Sequence, residues 1–371
     1  MIRRFGALAI VIVLGAGFAF GAHSLTGGSG AKKAAAGPDA QTQAVPAKRT
    51  TRAVPREMRG VHVTMALASL RGKLAEYLAL KRAGLNTIEL DVKDENGEIG
   101  FVRGAPPLAR ATGAAKPYYN ARAAARKVHA AGLYLIGRVV TFQDPLVSER
   151  RPGLALHNPD GSVWHTSAGY GWLNPYDRRA WNYDLGVATA AAKAGFDEIQ
   201  FDYVRFPSDG DVSSIRYPVR TKASMAKTIT QFVKFASAKL HKLGVRASVD
   251  VFGLAATRDL GIGQKPSRLA RYVDAVYPMV YPSHFNPGEY GIADPNASPG
   301  QTVTDALLYF EADLRGSTAR LVPWLQDFSL GRTYTTADLQ AQVDAARSAN
   351  TRGFLLWNPL GLYTPHALSR P

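Results

Sequence analysis

Hydrophobic and polar side chains alternate in the segment GFDEIQFDYVRFPSD, which begins at Gly195. Ile199 and Phe201 fall on one face of a strand, and Gln200 and Asp202 fall on the other, because successive side chains along a strand point to opposite sides. Polar side chains on one face of an otherwise apolar strand require an explanation. The pattern predicts an active-site strand with Asp202 at its carboxyl end.

Four segments share a second pattern, in which a helix-type stretch ends at a glycine and a β-rich run follows at once. They read KRAGLNTIEL, HAAGLYLIGR, AKAGFDEIQF and HKLGVRASVD, with the glycines at Gly84, Gly132, Gly195 and Gly244. Glycine suits the left-handed backbone position that follows a helix. Short helix-to-strand turns repeated in this way predict parallel strands.

The remaining periodicity predicts four further strands and a set of amphipathic helices. We expect the strands at 59–64, 273–281, 319–326 and 352–358, and the helices near 69–83, 118–131, 178–194, 222–243, 302–315 and 336–349. A shorter helix is expected near 266–272, after the fifth strand. Eight strands alternating with helices favour a closed (β/α)8 TIM barrel over an open doubly wound sheet.

The chain divides into three parts on composition. Arg3 and Arg4 precede an apolar run that ends at Ala22, so residues 1–22 are expected to form a signal peptide or an uncleaved membrane anchor. Residues 23–56 are rich in small and polar side chains and are expected to form a flexible linker. Residues 57–371 would then form the barrel domain. This order predicts an exported protein, secreted or anchored to the outer face of the cytoplasmic membrane.

Composition narrows the class of partner. The chain has 371 residues, 46% of them hydrophobic, and no cysteine, which excludes disulfides, thiolate metal sites and cysteine nucleophiles. A net charge of +16 favours anionic surroundings. No recognised nucleic-acid-binding module accompanies that charge, so we expect no specific nucleic-acid partner.

Long connections follow the predicted strands, at 94–117, 141–176, 205–221 and 282–301, and mark one rim of the barrel as the functional rim. The second of them carries Trp164, Tyr170 and Trp172. These flat side chains suit stacking on sugar rings, or else they pack the loop onto the barrel.

Strand parity collects many polar side chains on the inward face. The set comprises His62, Thr64, Glu89, Asp91, Lys93, Arg138, Gln200, Asp202, Arg246, Ser248, Asp250, Tyr281, Gln326 and Asn358, with Asp327 just beyond a strand end. Buried ionisable groups are tolerated when they are paired, and they cluster where function requires them. The inward set therefore predicts a site at the barrel mouth.

Asp202 and Asp250 are the strongest catalytic candidates. They would lie on adjacent strands about 4.8 Å apart, close to the ~5 to 5.5 Å between the two carboxyl groups of a retaining glycosidase. Such a pair needs one carboxyl that stays protonated and one that an arginine, Arg138, Arg205 or Arg246, holds ionised. The alternative is that either aspartate is the structural partner of an arginine.

Other chemistries lack their residues. His62 has no paired histidine, and the acidic turn DENGEIG at 94–100 lacks the bidentate glutamate of a calcium loop. The end of the sixth strand has no lysine, and the chain has no glycine-rich phosphate loop. We therefore expect neither a metal nor a cofactor.

Several segments of the predicted barrel also resemble a bacterial family of TIM-barrel domains grouped with the glycoside hydrolases. They read RGVHVT, NTIELDVKDENGEIGF, GRVVTFQDP, WLNPYDRRAWNYDLG, GFDEIQFDYVRFPSDG, SVDVFGLAATRDLGIGQ, YPMVYPSHF, PWLQDF and LLWNP. The resemblance implies a TIM barrel and suggests hydrolysis of O-glycosidic bonds. The arrangement is similar to α-amylase-type barrels, whose catalytic groups at the ends of strands 4, 5 and 7 correspond to Asp202, Asp250 and Asp327. Here the fifth strand ends in aspartate where that group has glutamate.

These observations predict a glycoside hydrolase acting on a polysaccharide or cell-envelope glycan, with Asp202 as nucleophile, Asp250 as general acid/base and Asp327 assisting. The candidates for binding the sugar are His62, Glu89, Asp91, Lys93, Arg138, Trp172, Tyr203, Arg205, Tyr281, His284, Trp324, Gln326, Trp357 and Asn358. Two alternatives stay open. One is a catalytically silent envelope protein that binds glycan or acts as a scaffold, and the other is electrostatic attachment to an anionic polymer.

Overall fold

The computed structural model describes residues 52–369, which form a closed barrel of parallel strands. The strands are β1 (Met58–Val63), β2 (Thr87–Lys93), β3 (Tyr134–Val140), β4 (Glu198–Asp202), β5 (Arg246–Phe252), β6 (Ala275–Met279), β7 (Arg320–Leu321), β8 (Trp324–Gln326) and β9 (Gly353–Trp357). Each strand pairs in parallel with its neighbours, and β9 pairs with β1 to close the ring. β7 and β8 are two parts of the seventh barrel strand, which Pro323 interrupts because proline lacks the amide donor of a ladder. The predicted TIM barrel is confirmed.

The helices lie between the strands. They are α1 (Met65–Ser69), α2 (Lys73–Ala79), α3 (Pro107–Ala111), α4 (Ala121–Ala130), α5 (Pro145–Arg150), α6 (Arg178–Ala194), α7 (Met225–Lys242), α8 (Pro266–Leu269), α9 (Pro299–Asp313) and α10 (Thr336–Ser348). α8 is the short helix expected after the fifth strand. The predicted leader and residues 23–51 of the predicted linker lie outside the described residues. Within 52–369, no helix combines the length and the apolar character that crossing a membrane requires.

The junction glycines have the backbone conformation that the sequence pattern predicts. All four have positive φ, for example +113° at Gly84 and +127° at Gly195. At Gly84 an added Cβ would also lie 2.1 Å from the carbonyl oxygen of Leu368. Glycine is therefore required there both for conformation and for the close approach of the C-terminal segment.

Polar layers fill the barrel interior. At the amino ends of the strands, Glu198 accepts hydrogen bonds from the hydroxyls of Tyr134 (2.9 Å) and Tyr277 (2.8 Å). Arg246 pairs in register with Glu198 and so lies at this end of the barrel. The inward side chains nearer the carboxyl ends of the strands form the candidate site.

Candidate active site

Asp202 and Asp250 occupy neighbouring positions at the mouth. β4 and β5 pair in register up to Phe201 and Val249, and the two aspartates are the next residues along each strand. Both are buried, with Asp202 5% and Asp250 1% exposed. The strand register thus brings the two predicted catalytic carboxyl groups to one level of the barrel.

Asp202 is held as an ion pair. Its Oδ2 accepts hydrogen bonds from Arg138 Nε at 3.0 Å and Nη2 at 2.6 Å, and its Oδ1 accepts from the backbone amide of Tyr203 at 2.6 Å. Hydrogen bonds from a guanidinium to a carboxylate are about twice as strong as neutral ones. Arg138 therefore fixes the orientation of the Asp202 carboxyl group.

Asp250 has the opposite environment. Its Oδ1 accepts from Gln200 Nε2 and from Trp324 Nε1, both at 2.8 Å, and no cation within 52–369 forms an ion pair with it. Burial raises the pKa of Asp250 well above its usual range, and the charges of Asp202 and Glu89 act in the same direction. Asp250 is thus a carboxyl with a raised pKa beside one that an arginine binds, a contrast that suits general acid catalysis.

A row of alternating charges supports Asp202 from behind. Arg138 Nη1 donates to Asp91 Oδ1 at 2.9 Å, and Asp91 Oδ2 lies 3.6 Å from His62 Nε2. His62 Nδ1 hydrogen-bonds Glu89. Burial disfavours the imidazolium, but the charges of Asp91 and Glu89 outweigh it and raise the pKa of His62 to about 9. His62 is consequently a cation at neutral pH and continues the ion-pair row across β1, β2, β3 and β4.

Glu95 joins the site although strand parity did not select it. Its carboxylate binds Arg138 Nη2, and its carbonyl oxygen accepts from Gln143 Nε2 at 3.1 Å. Asp94 shapes the turn by accepting from the backbone amides of Asn96 (3.1 Å) and Glu98 (2.9 Å). Burial and the charges of Glu95 and Asp91 raise the pKa of Asp94 to about 7. The acidic residues of DENGEIG, directly after an active-site strand, were the sequence signal that could have identified Glu95.

Aromatic rings line the other side of the mouth. The Trp357 ring lies 4.4 Å from the His62 ring, and the Arg138 guanidinium lies 5.4 Å from the Trp357 centroid. Tyr281 packs edge-on against Phe328, with 5.8 Å between the ring centroids. Phe328 was not among the residues predicted from the sequence. The structure therefore places Trp324, Trp357 and Tyr281, three of the candidates for sugar binding, around the carboxyl groups; their role in binding stays a prediction.

His284 belongs to this aromatic wall. Its ring lies 5.4 Å from the Tyr281 ring, and Ser283 Oγ is 3.1 Å from His284 Nδ1. Burial lowers the pKa of His284 to about 4, so the imidazole is neutral at physiological pH. It offers a neutral hydrogen-bonding edge rather than a charge.

The predicted sugar-stacking role of Trp172 does not agree with its position. Trp172 and Trp164 are fully buried, so the alternative that they pack the loop onto the barrel holds for both. Trp172 instead packs against the guanidinium of Arg205 at 4.9 Å. Arg205 also lies 5.0 Å from the ring of Tyr203, a residue with the unusual φ of +48°.

The structure contradicts the prediction from strand parity that Lys93 faces the barrel mouth. Register with β3 shifts after Asp91, and Lys93 pairs with Val139, which faces the outer helices. Its ammonium lies 2.8 Å from Asp144 and 2.9 Å from Asp184 on α6. The bulge in β2 therefore turns Lys93 out of the mouth and into a buried ion cluster.

Three further candidates form hydrogen bonds that connect segments at the rim. Asp327 accepts from both the amide (2.7 Å) and the hydroxyl (2.9 Å) of Thr364, and burial raises its pKa to about 6. Asn358 donates to the Asp327 carbonyl. Gln326 accepts from the amide of Ser283 at 3.1 Å. The structure does not bring Asp327 into contact with Asp202 or Asp250, so its assisting role stays a prediction.

The arrangement offers a ligand in the mouth one carboxyl bound by an arginine and one whose pKa is raised. Among residues 52–369 no group of three or more histidine, aspartate or glutamate side chains is placed to hold a metal ion. A (β/α)8 barrel with paired carboxyl groups at the carboxyl ends of its strands is typical of hydrolases that act on sugars.

The family model described as "Putative glycosyl hydrolase domain" matches residues 60–363. The match spans most of the chain, and the protein belongs to this family. None of the curated proteins is a detectable relative.

Solved structures resemble the chain as well. A hypothetical protein from Ruminiclostridium thermocellum is 33% identical over 52% of this chain and 97% of its own, with a TM-score of 0.47. The PgaB (BpsB) glycoside hydrolase domain from Bordetella bronchiseptica is 13% identical over 81% of this chain and 94% of its own, with a TM-score of 0.58. The catalytic domain of β-amylase from Paenibacillus polymyxa is 13% identical over 85% and 95%, with a TM-score of 0.51. The last two similarities establish a shared fold.

Proposed function

We propose that the protein is a glycoside hydrolase that cleaves O-glycosidic bonds of a polysaccharide or cell-envelope glycan by a retaining mechanism. The observation that carries the proposal is the contrast between two neighbouring carboxyl groups. Asp202 is bound by the Arg138 guanidinium, whereas Asp250 is buried without a cation and has a raised pKa. When two neighbouring carboxyl groups have environments this different, one can act as the acid and the other as the nucleophile.

In the first step Asp250 donates its proton to the glycosidic oxygen while Asp202 attacks the anomeric carbon. The bond from that carbon to the leaving oxygen breaks, and a glycosyl ester on Asp202 forms. In the second step Asp250, now ionised, takes a proton from water as the water oxygen attacks the same carbon. The ester bond breaks, and both carboxyl groups return to their starting states.

Strand geometry is compatible with these roles. Adjacent strands lie about 4.8 Å apart, and a retaining pair needs about 5 to 5.5 Å between its carboxyl groups. Trp357, Trp324 and Tyr281 provide apolar faces beside the pair, which suits a sugar ring. The predicted leader adds a location to the proposal: an exported enzyme, secreted or tethered to the outer face of the cytoplasmic membrane, that meets envelope glycans there.

The experiment that tests the proposal measures hydrolysis of a panel of envelope and storage glycans by the purified protein. Wild type is compared with Asp202→Asn, Asp250→Asn and the control Asp344→Asn, an exposed aspartate on α10. Product anomers are followed by NMR. We expect turnover with retained configuration, abolished by Asp202→Asn and unchanged by Asp344→Asn. Inverted products would contradict the retaining mechanism.

A second candidate function is glycan binding without catalysis. The double hydrogen bond from Arg138 to Asp202 favours it, because a purely structural ion pair has the same geometry. In that case the panel would show binding without turnover, equal in wild type, Asp202→Asn and Asp250→Asn. Electrostatic attachment to an anionic polymer would add binding that falls steeply as salt is raised.

A further inference from the structure

Arg205 is a buried cation without a carboxylate partner. It is 2% exposed, and no acidic oxygen in the described chain lies within 4.0 Å of its guanidinium. Nη1 donates to the carbonyl oxygen of Phe206 at 3.0 Å and to Ser208 Oγ at 3.2 Å. A buried charge is costly unless it is paired. A buried arginine without a carboxylate partner is typical of a site that binds an anionic group.

Two donors of this guanidinium stay available. Nε and Nη2 make no hydrogen bond within 52–369, and neither belongs to the fully buried unpaired polar atoms, so both keep some contact with solvent. These two atoms lie on the same edge of the planar group. Their parallel N–H bonds match the two oxygens of a carboxylate.

Aromatic rings fix the plane of that edge. The guanidinium carbon lies 4.9 Å from the Trp172 centroid, 5.0 Å from Tyr203 and 4.7 Å from Phe252. Tyr203 and Phe252 are themselves partly exposed at the carboxyl ends of β4 and β5. A guanidinium oriented in advance loses little entropy when it binds a ligand.

The position of Arg205 links it to the proposed nucleophile. Tyr203, the residue after Asp202, has φ of +48°, a left-handed conformation that a bulky side chain rarely adopts. Such strain is concentrated at functional sites. The turn, closed by the hydrogen bond from the Arg205 amide to the Tyr203 carbonyl at 2.9 Å, places Arg205 on the same rim as Asp202.

We propose that Arg205 binds a carboxylate of the substrate, and that the glycan is an acidic one with a uronic acid residue beside the cleaved bond. This inference rests on the proposed glycosidase function of the same mouth. The net charge of +16 adds a general attraction for such a polyanion.

The experiment uses matched pairs of one glycan with and without its charge. Galacturonan, glucuronate-substituted xylan and mannuronan oligosaccharides are offered to the purified full chain as free acids and as methyl esters. For at least one pair we expect kcat/KM to be tenfold or more higher for the free acid. Equal turnover of acid and ester, or a preference for neutral, sulfated or phosphorylated glycans, would overturn the inference.

Variants of Arg205 test whether this residue causes the preference for the free acid over the ester. In Arg205→Gln the ratio of free acid to ester should fall towards one, and Arg205→Lys should retain part of it, since an ammonium lacks the planar fork. Arg178→Gln is the matched control, because Arg178 stacks on Trp181 at 4.1 Å on the outer helix α6. A purely structural role would lower turnover of acid and ester equally and leave the ratio unchanged, which would count against a binding role.

Failure of the proposed glycosidase function can be distinguished from failure of the carboxylate-binding inference. If no glycan is cleaved, calorimetry on wild type and Arg205→Gln with the free acids and their esters decides the inference by itself. Binding of the acid alone, lost in Arg205→Gln, supports carboxylate recognition without hydrolysis. Absence of binding to every acid would overturn the inference alone, and the glycan panel decides the proposed function.

Discussion

Asp202 Oδ2 accepts two hydrogen bonds from Arg138, at 3.0 Å from Nε and 2.6 Å from Nη2. The same guanidinium binds Asp91 and Glu95. Three carboxylates of three different backbone segments therefore share one cation, and the orientation of Asp202 depends on all of them.

Replacing Arg138 by lysine should lower kcat on the identified glycan by ~10- to 100-fold. A single ammonium cannot bind three carboxylates in one plane, and hydrogen bonds to charged groups contribute ~1.5–3 kcal/mol each. Steady-state kinetics at constant pH measure the loss. Arg126→Lys on the outer face of α4 serves as the control and should leave kcat within error. An Arg138→Lys enzyme with wild-type kcat would show that the ion pair does not position the nucleophile.

Trp324→Phe should shift the basic limb of the pH–rate profile upwards. The indole donates to Asp250 Oδ1 at 2.8 Å, and this hydrogen bond lowers the pKa of a carboxyl that burial has already raised. Without the donor the protonated form of Asp250 persists to higher pH, so activity that needs the acid also persists. The profile of kcat/KM measures the shift. A limb that moves to lower pH would exclude Asp250 as the acid.

His62 should make stability fall with rising pH. Its pKa is about 9 in the folded chain against 6.5 when unfolded, so its contribution is fully present below pH 6.5 and is lost as pH rises through about 9. A shift of this size corresponds to ~3 kcal/mol. Urea unfolding of wild type and His62→Gln between pH 6 and 9.5 measures it.

In His62→Gln this part of the slope should be absent. His366→Gln, at an exposed position that forms no ion pair within 52–369, is the matched control and should keep the wild-type slope. Parallel stability curves for wild type and His62→Gln would mean that folding does not raise the pKa of His62.

Lys93→Met should destabilise the fold by ~3–5 kcal/mol at pH 7, because removing one partner leaves Asp144 and Asp184 buried without a cation. The pKa of Asp184, which burial holds at about 7 even beside Lys93, should rise further. Chemical denaturation at pH 7 and pH 5 checks this, and the difference should shrink at pH 5, where Asp184 is protonated. Lys116→Met, which breaks a half-exposed pair with Glu98, should cost less than ~1 kcal/mol.

Strand periodicity was sufficient to predict the barrel and the carboxyl pair. Asp202 and Asp250 follow regular alternation in strands that pair in register, so counting residues gives their direction correctly. Lys93 fails because a bulge changes parity, and a bulge depends on pairing that a single sequence does not display.

Depth in the barrel and loop placement are the other properties that the sequence left undetermined. Parity gives Arg246 an inward direction but does not distinguish the amino end from the mouth. Trp172 was expected in the mouth, yet tertiary packing buries it beneath Arg205. Glu95 lies in a loop, where alternation has no meaning, and reaches the site only because the turn after β2 folds over Arg138.

The pairing of β9 with β1 has a consequence for biosynthesis. Trp357 completes the wall beside His62, yet nearly 300 residues separate the two strands that must meet, and loop closure over such a distance is slow. A nascent chain that has not yet released β9 from the ribosome cannot close the ring. The contact between the Trp357 and His62 rings can therefore form only late, after synthesis of the last barrel strand.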